Sequence, residues 1–239
     1  MPSKGKLIAA RQRANLALGG GAAPATPVAL RSSSKTAGTT TSPLAMTMPV
    51  SPNAGDLILV AIAGVPIDGA NNTNISGYTQ LARAAVTTYP RPGLEFWYKV
   101  AAGGEGNPSI SWSSTWGTGS STRGISAIVC VFENVDGDTP FDTTADAVAD
   151  NGAGTQVTLS NTNTAGAYYV ELSARASTQT IPGIATANGF SSIQSGSTPA
   201  GTDHARRLIG QSIESAGAVT AAVWDTGSRS SLAVAIKPG

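Results

Sequence analysis

Asp56-Leu-Ile-Leu-Val-Ala-Ile-Ala63, entered through the turn Pro52-Asn-Ala-Gly55, decides how this chain reads. Seven consecutive apolar residues follow one acid. The run's length favours a buried strand over a helix. A second run of the same kind, Gly124-Ile-Ser-Ala-Ile-Val-Cys-Val-Phe132, closes on the turn formers Asn134, Asp136 and Gly137. Further strands are expected over 78–86, 94–100, 156–159, 168–172, 206–213, 219–224 and 231–236. Gly, Pro, Asn and Asp punctuate nearly every gap, and no amphipathic helical period appears inside this region. The fold class is therefore all-β, an antiparallel β-sandwich with jelly-roll-like topology and an extended or partly helical N-terminal arm. No internal repeat aligns by sequence.

Charged residues make up only 12% of the 239 residues, against 41% apolar, so the chain can form a core and its surface is largely Ser, Thr, Asn and Gly. The net charge of +1 is unevenly placed. Lys4, Lys6, Arg11, Arg13, Arg31 and Lys35 fall within residues 1–35, which contain no acid. Residues 4–18 have helical spacing, Gly19 to Gly21 would end a helix there, and residues 19–42 read as a Gly/Ser/Thr/Pro linker. The domain reading is thus an arm and linker over 1–40 and a sandwich over 41–239. A chain lacking residues 1–35 is expected to stay folded. In the arm, Lys4, Lys6, Arg11 and Arg13 would pair with acidic neighbours while Leu7, Ile8, Leu16 and Leu18 supply apolar anchors.

Cys130 is the sole cysteine, which excludes an intrachain disulfide, and its apolar strand setting makes it a core residue and not a reactive thiol. No apolar run is long enough to span a bilayer, and the N-terminus makes a poor signal peptide. A hydrolytic triad would need His204, the single histidine, and no nucleophile elbow accompanies it. No catalytic residue and no cofactor is assigned. Asp136, Asp138 and Asp142 are weak calcium candidates, since a loop pair of carboxylates suits calcium but the regular spacing of an EF-hand is missing. Tyr78, Tyr89, Trp112 and Trp116 lie in or near loops and could stack on sugar faces, with Trp112 and Trp116 the leading pair. Trp97 and Trp224 sit in strand patterns and read as core.

The series Asn53-Ala-Gly-Asp-Leu-Ile-Leu-Val60, Gly77-Tyr-Thr79, Phe96-Trp-Tyr-Lys-Val-Ala101, Val131-Phe-Glu-Asn-Val-Asp136, Pro140-Phe-Asp142 and Ser231-Leu-Ala-Val-Ala-Ile236 resembles β-sandwich domains of bacteriophage virion proteins, over roughly residues 43–237. The resemblance implies a non-enzymatic decoration, cement or tail-surface protein, made in the host cytoplasm and carried on the virion. Its partners would be the major capsid protein or tail subunits, in a homo-oligomer or multi-copy lattice, with no membrane. The arm's six bases have no aromatic partners and no base-reading fold, so nucleic acid is the weaker partner. A carbohydrate-binding or adhesion module on a tail or cell surface is the alternative expectation.

Overall fold

The computed structural model describes residues 25–39, 42–64, 73–84, 93–112, 125–142, 146–150, 158–176, 191–197, 204–214, 217–220 and 229–239. Among these residues there are fifteen strands and no helix. They are β1 (Ala29–Thr39), β2 (Leu44–Ala45), β3 (Leu57–Gly64), β4 (Thr73–Ile75), β5 (Thr79–Ala84), β6 (Gly93–Val100), β7 (Ser109–Trp112) and β8 (Ile125–Glu133), followed by β9 (Asp146–Asp150), β10 (Thr158–Asn163), β11 (Tyr168–Ala176), β12 (Ser191–Ser197), β13 (His204–Ser212), β14 (Gly217–Thr220) and β15 (Arg229–Ile236). All strand pairings are antiparallel. The expected antiparallel β-sandwich is what these residues build.

Two five-stranded sheets face each other, in the orders β1-β8-β3-β6-β5 and β12-β13-β11-β15-β9. The first draws only on residues 29–133 and the second only on 146–236, so no main-sheet strand is exchanged between the halves. Counted within its own half, each sheet has the same order: first strand, fifth, second, fourth, third. The small sheets match as well. β2 pairs with β7 in the first half, and β10 pairs with β14 in the second.

The correspondence extends to single hydrogen bonds. In the first half the Gly55 N–H donates to the Ala101 carbonyl (2.9 Å) and the Ala101 N–H returns a bond to Asp56 (2.8 Å). In the second half Gly166 donates to Ile213 (2.8 Å) and Ile213 returns a bond to Ala167 (2.8 Å). Gly55 and Gly166 both take positive φ, 90° and 87°, which a side chain disfavours and glycine does not. The edge strands β5 and β12 each carry one register shift, beside Leu81 and Ile193, and both of these residues turn onto the core. The chain therefore contains an internal structural repeat, which resides in turns, register and facing parity while the side chains differ.

Leu57, Leu59, Leu94, Phe96, Ile128, Cys130 and Phe132 from the first sheet meet Val170, Leu172, Leu208, Leu232, Val234 and Ile236 from the second in one buried core. Each such side chain is worth about 1.5–3 kcal/mol when fully withdrawn from water. Burial raises the Cys130 thiol well above its ordinary range and keeps it protonated. The opposite face of the first sheet, with Ile58, Val60, Ile62 and Val129, is covered by Leu44, Ile75 and Ile110 of the sheet β2-β7-β4 and by Met46 just after β2. Burial on both faces explains the unbroken apolar run 57–63.

Residues 29–39 correct the linker reading. They form β1, paired with β8 from Ala29↔Glu133 to Thr39↔Ile125. Arg31 reaches the little-exposed Asp56 carboxylate and lies 3.6 Å from Glu133, so it belongs to the sheet and not to the arm. A Ser/Thr-rich segment can serve as an edge strand because an edge needs backbone pairing on one side only. The domain boundary accordingly falls before Val28, which is 1% exposed within the core, and not at residue 40. Strands β2, β4, β7, β9 and β12 were likewise not legible in the sequence. Three of these have four residues or fewer, β9 alternates Asp and Ala about one Val, and β12 is mostly Ser and Gly.

Candidate functional site

Three places could carry function, and each is built from turns. The first is the point where the N-terminal segment joins the sandwich. The Pro27 carbonyl accepts a bond from Asn134 Nδ2 (3.1 Å), and the Val28 N–H donates to the Gly166 carbonyl (2.8 Å). Asn134 has φ 61°, the left-handed conformation that Asn tolerates better than most residues. The chain is thus held at its entry by the end of the first half and by the turn before β11 in the second. The anchoring candidates Lys4, Lys6, Leu7, Ile8, Arg11, Arg13, Leu16 and Leu18, and any helix there, lie outside the described residues.

The second place is the acidic turn. Asp136 accepts from the backbone N–H of Asp138 and Thr139 (3.0 Å each), from Thr139 Oγ1 (2.8 Å) and from Lys237 Nζ (2.8 Å). The Lys237 hydrogen bond, followed by those from Thr139 and Asp138, holds its carboxyl well below the usual range. Asp142 is engaged by the Thr164 N–H and by Thr164 Oγ1 (2.7 Å). Both carboxylates are taken up in closing turns at the junction of the two halves. Asp138 is exposed, and no group of three His, Cys, Asp or Glu side chains among the described residues could hold a metal.

The third place is a groove of about 310 Å³ lined by Ser76, Tyr78, Lys99, Glu105, Gly106, Asn107, Pro108 and Ser109. One wall is the turn after β4, closed by Tyr78 N–H donating to Ile75 (3.1 Å) with Gly77 at positive φ. The other is the loop after β6. Glu105 Oε1 accepts from the Ala102 N–H (2.5 Å) and Oε2 from the Gly103 N–H (3.2 Å). Asn107 Oδ1 accepts from Met48 N–H (2.8 Å), and Gly104 N–H donates to Pro52 (3.2 Å). Lys99 Nζ stands 3.5 Å from Glu105 Oε1. Burial works to raise the Glu105 carboxyl, but the backbone N–H groups and Lys99 outweigh it and hold it low. Burial, aided by the Glu105 charge, pushes the Tyr78 hydroxyl up to about 12, so it remains a neutral donor.

Of the aromatic candidates, Tyr78 and Trp112 are half-buried against the second core, and Trp97 is buried in it. Trp112 sits opposite Thr73 at the far end of β7 from the groove-lining Ser109. Tyr89, Trp116 and Trp224 lie outside the described residues. His204 begins β13, opposite Ala176. Sequence reading missed Lys99, near the end of β6, and Glu105 and Asn107, which follow that strand in an ordinary Gly-rich loop. The hint available was the acid Glu105 standing alone between glycines.

Two of the acids that fall in strands, Glu95 in β6 and Glu171 in β11, are buried carboxylates. Glu95 accepts from Trp97 Nε1 (2.8 Å) and from Thr73 Oγ1, with Arg83 Nε 3.3 Å from its other oxygen. Glu171 accepts from Tyr169 Oη (3.1 Å) and Ser173 Oγ (2.9 Å), and Ser173 also meets Ser231 (2.8 Å). Both acids are fully buried and held by protein donors.

No family model matches this chain, and neither does any curated protein or solved structure. The likeness to bacteriophage virion domains therefore rests on sequence motifs alone. In the structure those motifs do scaffold work: Asn53 to Asp56 makes the turn before β3, and Asn134, Asp136, Phe141 and Asp142 join the halves.

Proposed function

We propose that the protein is a non-catalytic structural component of a particle surface, of the virion decoration or cement kind, tethered to capsid or tail subunits through its basic N-terminal segment. The observation that carries this reading is the gripped entry at Pro27 and Val28. A tether that enters between Asn134 and Gly166 and continues into β1 passes tension to both halves of the sandwich at once. The four basic residues before the sandwich, Lys4, Lys6, Arg11 and Arg13, suit an acidic partner surface, and many copies on a lattice would sum weak individual contacts.

The test is co-sedimentation with purified particles of the source virus, comparing the full chain with one that begins at Ala25. The deletion has to stop there, because removing residues 1–35 would strip Val28 from the core and Leu30 and Arg31 from β1. Binding by the full chain alone, saturating at regular stoichiometry, is the expected result. Equal binding by both chains, or by neither, overturns the tether. The second reading, a carbohydrate-binding module, is favoured by the groove at Tyr78.

A further inference from the structure

Resting on that second reading, we infer that the groove between the turn 75–78 and the loop 101–109 is a binding site for a neutral, hydroxyl-rich ligand, a saccharide of one or two units. Its volume of about 310 Å³ lies at the small end of the range for small-molecule sites. Its lining is one aromatic ring surrounded by hydrogen-bonding groups of both senses. Ser76 and Ser109 carry hydroxyls that donate and accept, Lys99 donates, and Glu105 accepts. Asn107 has its oxygen engaged by Met48, which leaves its NH₂ to donate. Tyr78 offers part of a ring face and a hydroxyl.

Charge narrows the ligand class. Lys99 and Glu105 stand 3.5 Å apart and compensate each other. An anion would meet the Glu105 carboxylate and a cation the Lys99 ammonium, whereas hydroxyl groups can bond to both without separating them. The loop wall is held by bonds from Ala102, Gly103, Gly104 and Met48, so the site is formed before a ligand arrives and little ordering opposes binding.

The experiment uses the full chain on an array of neutral, sialylated and sulfated saccharides, beside the variants Gly106→Trp and Tyr78→Ala. A Cβ at Gly106 meets nothing within 4 Å, so Gly106→Trp fills the groove without crowding the fold, and its thermal melt should match the parent chain. Tyr78→Ala removes the ring but also a contact of the second core, and is the secondary variant. The inference expects binding to neutral saccharides that falls about tenfold or more in Gly106→Trp. No binding by the parent chain, binding confined to the charged saccharides, or binding unchanged by Gly106→Trp overturns it. Particle co-sedimentation reads the tether separately, so either proposal can fail alone.

Discussion

The two halves share one topology and differ in what they place on the outer face of their central strands. Val60 of β3 and Glu171 of β11 occupy equivalent positions, five residues after Gly55 and Gly166 respectively. Around Val60 the face is Ile58, Ile62 and Val129. Around Glu171 it is Tyr169, Ser173 and Ala233. Both faces are buried, the first by apolar packing and the second by a satisfied polar network. The backbone scheme thus tolerates opposite chemistry outside so long as the shared core between the sheets is kept.

That comparison predicts its own largest failure. Separating the chain between Asp142 and Asp146 would leave each half with one wall of the common core facing water. Neither half alone should give a dispersed amide spectrum, and the two mixed pieces should recover one. A folded isolated half would show that the halves are independent units.

A middle-sized effect comes from exchanging chemistry at the equivalent positions. Val60→Glu puts a carboxylate among apolar side chains and should cost about 3–5 kcal/mol, as for other uncompensated buried charges. Glu171→Val removes the acceptor used by Tyr169 and Ser173, at about 1–3 kcal/mol, with Ser173 keeping Ser231 as a partner. Denaturant melts of both variants decide the matter. A neutral Glu171→Val would mean that the polar network contributes nothing to stability.

The smallest effect lies at the junction, where Asp136 of the first half holds Lys237 at the end of the second. The Asp136 carboxyl is held below its unfolded value, about 3.9, so its contribution is complete above that pH and is lost as pH falls through the lower native value. Asp136→Asn should lower the melting temperature slightly at neutral pH and flatten the acid limb of the stability profile. An acid limb identical to that of the parent chain would remove Asp136 from the account. Exposure keeps the effect small.

The strands with apolar runs, β3 and β8, were legible because burial on both faces leaves an uninterrupted pattern. Alternation exposed β11 and aromatic content exposed β6. The edge strand β1 and the short strands β2, β4 and β7 were not legible, since their pairing is satisfied by backbone groups that every residue carries. The turn formers Asn53, Gly55, Asn134 and Asp136 were visible as turns, but what each turn joins was not. In the groove, Tyr78 was visible as a loop aromatic, while Lys99, Glu105 and Asn107 acquire meaning only from one another.

The amino-acid sequence by itself determined the all-β class, the two buried strands, the core placement of Cys130 and the basic character of the N-terminal segment. These follow from local pattern and composition, which a linear chain displays. Only the tertiary structure decided that the chain is two copies of one topology, that residues 29–39 close a sheet, and that Glu95 and Glu171 can be buried. Those facts depend on hydrogen bonds between residues far apart in the chain, and which strand pairs with which is not written in the order of residues within either one.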